Sequence, residues 1–155
     1  MTTRLLVAVD GSENALLAVQ HAVALCQGGL RAEVVVLQVQ EAASFLQLAT
    51  QDADAIAQSA IEAGRNLMEP AIKTLSAAGL PWVEEVALGE PAPTIVEMAQ
   101  RLQCDQIIVG ARGVSGLSAA LMGSVSLAVL KQSHVPVTIV KPPLERAEDV
   151  LGENA

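Results

Sequence analysis

The apolar positions of the chain follow two rhythms. Residues 4–9 (RLLVAV) are almost continuously apolar and stop at Asp10, Gly11 and Ser12, the pattern of a strand buried on both faces and ended by a turn. Across Glu13–Gln27 the rhythm changes: Leu16, Val19, Val23 and Cys26 recur at helical spacing, and Gly28 with Gly29 supplies a stop. Residues 32–39 (AEVVVLQV) predict a second strand. The Ala- and Gln-rich residues 41–50, with Phe45 and Leu46, fit either a helical excursion or a loop. Asp52 and Asp54 then open a long helix at the end where the dipole favours acids, with Ile56, Ala60, Ala63, Leu67, Ala71 and Leu75 on one side and Gly79 as its stop. Trp82–Leu88 predicts a third strand. After it, Gly89 and Glu90 turn into a helix whose first turn tolerates Pro91 and Pro93 and whose buried stripe is Ile95, Met98, Ala99 and Leu102. Residues 105–109 predict a fourth strand, 110–122 a glycine-punctuated loop, 123–132 a helix and 135–140 (VPVTIV) a last strand.

Five strands separated by helical segments, with no hairpin signal between them, predict an α/β fold: a parallel, doubly wound sheet with helices on both faces. It should occupy residues 1–141, with 142–155 a polar tail expected to fray. Composition agrees. With 52% hydrophobic residues but one Phe, one Trp and no Tyr, the core must be Val, Leu, Ile and Ala, which suits helices on a buried parallel sheet. Nine Lys and Arg against seventeen Asp and Glu give a net charge of -8, and the basic residues do not cluster, so nucleic acid and anionic membrane are excluded as partners. The most apolar long stretch, 107–130, is broken by Arg112 and four glycines and cannot span a membrane. Cys26 and Cys104 match no metal-ligand spacing and the start has no secretory apolar region, so both are expected as thiols in a reducing, cytoplasmic setting.

Open parallel sheets bind ligands beyond the carboxyl ends of their strands, where the strand order reverses. The first strand ends at Asp10. The fourth ends in a spaced set: Gly110, two residues, Gly113, nine residues, then Gly123 and Ser124 before a helix. Here Gly110 is expected to turn the chain off the strand, Gly113 to let the backbone approach a ligand, and Gly123 with Ser124 to present helix N-terminal amides to phosphate oxygens. Glycines alone make turns without binding anything; the full spacing, placed after a strand and before a helix, is what carries weight.

With these residues in place, the sequence resembles the ATP-binding members of the universal stress protein family, which carry the G-x2-G-x9-G-S/T signature. The resemblance extends through LLVAVDGSENALLAV, VVVLQVQ, GEPAPTIVEMAQ, CDQIIVGARGVSGLSAALMGSVSLAVL and VPVTIVK. It implies a Rossmann-like sheet of the adenine nucleotide alpha hydrolase type. Gly110, Gly113, Gly123, Ser124 and Val125 would contact ribose and phosphates, Asp10 would meet ribose or a metal, Val39 would set its backbone against adenine, and Val109 would pack nearby. Gln38 stands where many relatives have histidine, a departure expected to be neutral.

The ligand expected is ATP, or ADP or AMP, with Mg or Mn. A carboxylate beside a polyphosphate repels it unless a cation or a ribose hydroxyl intervenes, and the competing role for Asp10 or Ser12 is to cap the first helix. Arg112 fits phosphate contact or solvent equally well. His21 and His134 have no nucleophile or carboxylate at a telling offset. Neither a Walker GxxxxGK[ST] nor a strand-end G-x-G-x-x-G occurs, so the expectation is a nucleotide-binding regulator with no catalytic residues, set against a slow ATPase or phosphotransferase and a nucleotide-free stress protein. The short apolar last strand, carrying Val135, Val137, Ile139 and Val140, predicts a homodimer through a sheet edge, to be read by a protein partner of unknown identity.

Overall fold

The computed structural model of the chain describes residues 1–41, 52–112 and 122–143. In chain order these form β1 (Thr3–Ala8), α1 (Glu13–Gln27), β2 (Ala32–Gln40), α2 (Ala53–Ala77), β3 (Trp82–Leu88), α3 (Pro91–Arg101), β4 (Gln106–Gly110), α4 (Ser124–Gln132) and β5 (Val137–Val140). The strands make one sheet in the order β3-β2-β1-β4-β5, and every pairing is parallel. β1 therefore lies in the middle, with Leu6 registered against Val35 on one side and Ile107 on the other.

Alternation along the strands builds two cores. Leu5, Val7 and Val9 face α1 and α2, while Leu6 faces the layer of α3 and α4 with Ile95, Met98 and Val129. This is why residues 4–9 are apolar throughout: both faces of β1 are covered, and Leu5, Leu6 and Val7 have no exposed surface. Burying each such side chain stabilises the fold by roughly 1.5–3 kcal/mol. Helix ends are set locally. Ser12 Oγ accepts from the Ala15 amide at 3.2 Å, and Asp52 Oδ1 from the Ala55 amide at 2.7 Å. α2 closes where Gly79 takes φ +70°, a conformation that glycine adopts without strain.

The helical stripes differ in detail from expectation. On α1 the buried residues are Ala15, Ala18, Val19 and Ala22, with Leu16, Val23 and Cys26 half-buried beside them, because alanines let the helix sit close to the sheet. On α2 the buried line is Ala60, Gly64, Met68, Ala71 and Leu75; Leu67 is exposed and Ala63 only partly covered. Gly64 decides this rotation. A Cβ there would lie 2.7 Å from Val86 and 3.1 Å from Gln38 Oε1, so the helix rests on β2 and β3 through its bare backbone. β4 runs one residue beyond the expected end, to Gly110, and β5 begins at Val137 after the Ser133 hydroxyl accepts from the Val135 amide.

Candidate functional site

The chain leaves β1 toward β2 on one side, and β4 joins β1 on the other, so the connections part at the carboxyl ends of β1 and β4 and leave a crevice. A cavity of about 290 Å³ lies there. Asp10, Val39, Val109, Gly110, Gly123, Ser124 and Val125 all line it, although they come from three strand ends and a helix start spread over more than a hundred residues. Gly113 lies outside the described residues.

Gly110 has a different job from the one its spacing suggested. It is the last residue of β4, paired with Val140, and makes no turn. A Cβ on it would lie 2.6 Å from the Asn14 carbonyl oxygen, so its bare backbone is what lets the first turn of α1 approach β4. Two bonds then fix the start of α4 over the strand end: the Gly123 amide donates to Ala111 O at 2.7 Å, and Ser126 Oγ donates to Gly110 O at 2.6 Å. Gly123 has φ −63° and ψ 152°, which any residue can adopt; as the cap residue it brings no side chain, and no side-chain bond caps this helix. The first helical bond is Leu127 N–H to Gly123 O, so the amides of the preceding turn have no carbonyl within the helix to receive them. Gly123, Ser124, Val125 and Ser126 line the cavity with that turn.

Ser12 caps α1, as its competing role proposed, while Asp10 Oδ1 accepts from the Ser12 amide at 2.9 Å and its carboxylate lines the cavity. Opposite stand Leu37, Val39, Pro91 and Ile95, an apolar wall. Gln38 points to the other face of the sheet and is 4% exposed; Nε2 donates to Val39 O at 3.0 Å, and Oε1 accepts from Gln40 Nε2 at 2.6 Å. It does not line the cavity. Arg112 does. Neither histidine nor cysteine lines it; burial pushes the Cys26 thiol up from its ordinary value and the Cys104 thiol to about 11. Among the described residues no three His, Cys, Asp or Glu side chains converge as a metal site, and no helix is long and apolar enough to cross a membrane. Asp10 and Glu41 are the carboxylate residues lining the cavity, and Asp10 is the one the sequence offered to a metal.

Leu37, Ile95, Ser126 and Glu41 also line the cavity and were not singled out from the sequence. Leu37 and Glu41 were within reach of strand alternation, being two residues either side of Val39. Ile95 was visible only as a core position of α3. Nothing in the pattern separates Ser126 from its neighbouring serines.

The chain is 31% identical over 141 residues to universal stress protein MJ0531 of Methanocaldococcus jannaschii, covering 90% of this chain and 82% of that one. It is 32% identical over 149 residues to universal stress protein YxiE of Bacillus subtilis, covering 91% and 100%. The solved structure of hypothetical protein MJ0577 superposes with a TM-score of 0.79 at 29% identity, covering 94% of this chain and 99% of that one. More distant structures of the same fold, at 18–23% identity and TM-scores of 0.62–0.64, are universal stress proteins holding cAMP, AMP (from Arabidopsis thaliana) and dAMP (from Archaeoglobus fulgidus). The universal stress protein family matches residues 1–141, and with that span and these relatives the chain belongs to the universal stress protein family.

Proposed function

We propose that the cavity binds an adenine nucleotide, ATP with Mg or Mn, and that the protein is a regulatory binding module and not a fast enzyme. The observation that carries this reading is the uncapped start of α4: a helix N-terminus with first-turn amides and no side-chain cap, lining a cavity that has an apolar wall at its other end. Such amides favour phosphate oxygens through their hydrogen bonds and the helix dipole. Leu37, Val39 and Ile95 suit the faces of a base, and Asp10 suits a ribose hydroxyl or the cation. The nucleotides held by distant relatives of the same fold support the ligand class.

Slow turnover follows from what lines the cavity. The lysines of the chain are Lys73, Lys131 and Lys141, and none is among the lining residues, which leaves Arg112 as the basic side chain there and no lysine to meet transition-state charge on a transferring phosphoryl group. Signalling would pass through Ala111, whose carbonyl accepts from Gly123 and whose amide donates to Val140 O at 2.8 Å, tying the start of α4 to the last strand. We place the homodimer interface on that strand, the terminal strand of the sheet among the described residues, with a further protein partner reading the nucleotide-bound form, and the protein in the reducing cytoplasm where Cys26 and Cys104 stay unpaired. Calorimetry with ATP, with and without Mg, followed by phosphate release over an hour, tests the reading. Binding that tightens with metal and is not followed by appreciable release is expected. Turnover on the order of one per second, as in working kinases, would overturn the non-enzyme part.

A further inference from the structure

The cavity is electrically polarised across the carboxyl ends of the strands. At the β4 end it has Arg112 and the first turn of α4; in the middle, at the end of β1, it has Asp10; at the β2 end it has Val39 and then Glu41. A nucleotide whose phosphates lie at α4 therefore turns its base toward β2. The strand presents its backbone there. Leu37 O accepts from Val9 N–H on the β1 side and Gln40 O accepts from Gly89 N–H on the β3 side, so alternation sends the Val39 amide and carbonyl to the β1 side, past the last residue of that strand. Glu41, two residues on, adds a carboxylate. It lines both the cavity and an adjoining groove of about 610 Å³, and among the described residues its carboxylate has no hydrogen-bond or ion-pair partner.

We infer that Glu41 is a specificity residue for the base, selecting a base that carries an exocyclic amino group over one that carries an oxo group in the same place. The inference rests on the nucleotide reading above and deepens it. An ionised carboxylate only accepts hydrogen bonds. An amino group facing it donates and gains a charge-assisted bond; an oxo group brings a second set of lone pairs against a negative charge and leaves both unpaired.

AMP and IMP share phosphate, ribose and ring outline and differ at the six-position of the purine and in the proton on the adjoining ring nitrogen, so the comparison reads that edge of the base. Calorimetry with each is to be run on the full chain and on Glu41→Gln, whose amide can turn to donate or to accept. The parent should prefer AMP by about tenfold or more, the scale of one charge-assisted bond. In the variant the preference should shrink to about threefold or less, chiefly through tighter IMP binding, with circular dichroism unchanged. If both proteins bind AMP and their AMP-to-IMP ratio is the same, Glu41 does not select the base, and the nucleotide reading stands. A parent that prefers IMP sinks the assignment too. If the parent binds neither nucleotide, the nucleotide reading fails and takes this inference with it.

Discussion

Gly110 packs its bare backbone against the backbone of Asn14 beside the cavity. Because a Cβ at Gly110 would lie 2.6 Å from a carbonyl oxygen that cannot swing aside, Gly110→Ala must push α1 away from β4. We expect a loss of about 1–3 kcal/mol, read as a lowered urea midpoint, together with weaker nucleotide binding. Cys104 gives a second prediction. Its thiol is raised from 9.0 to about 11, first because burial penalises the thiolate, with the Arg4 charge opposing. In the unfolded chain the thiol ionises near its ordinary value, so the unfolded state holds fewer protons between the two values and stability falls as pH rises through that window. The stabilising contribution is complete below about pH 9 and lost toward 11. Urea midpoints between pH 8 and 11 should fall more steeply for the parent than for Cys104→Ala; parallel curves would contradict this.

The backbone at the start of α4 has dihedrals open to any residue. Gly123 has the extended dihedrals of an ordinary cap residue, so Gly123→Asp should place a carboxylate over the first-turn amides and hold or raise stability by a few tenths of a kcal/mol. The same carboxylate occupies the amides that a phosphate needs and repels it. Nucleotide affinity should drop by about tenfold or more while thermal unfolding is unchanged or slightly later; undiminished affinity would remove phosphate from this helix end. The elements themselves were legible because most strands are short apolar runs and each helix keeps its spacing. Their rotations were less so, since Gly64 and the alanines of α1 are buried through the absence of a side chain, which a search for large apolar residues passes over. The site shows the same division. Asp10 and Gly123 could be read as strand-end and helix-start signals, whereas the purpose of Gly110 depended on Asn14, distant in sequence, and Glu41 needed the cavity to give it meaning.

For the whole molecule, β5 is the edge at which two copies should meet. Pro136 O and Val140 O accept from Ile107 and Ala111, so alternation turns the amides of Val137 and Ile139 outward. Ile139→Pro removes one outward donor and leaves the ladder to β4 intact, and proline is tolerated at an edge strand. Light scattering should report a dimer for the parent and a monomer for the variant, with the circular dichroism of both native; a dimer that survives would place the interface elsewhere. The strand order also governs how the protein is made. β1 is made before the other strands, yet it is the central one, and the neighbour that completes it, β4, registered at Leu6 against Ile107, follows only after β2, β3 and three helices. Until then an apolar strand with one open side waits, and no nucleotide site exists, because that site is assembled from the ends of both. A chain stalled before β4 is therefore sticky and blind to nucleotide, so ligand can rescue only polypeptides that already carry β4.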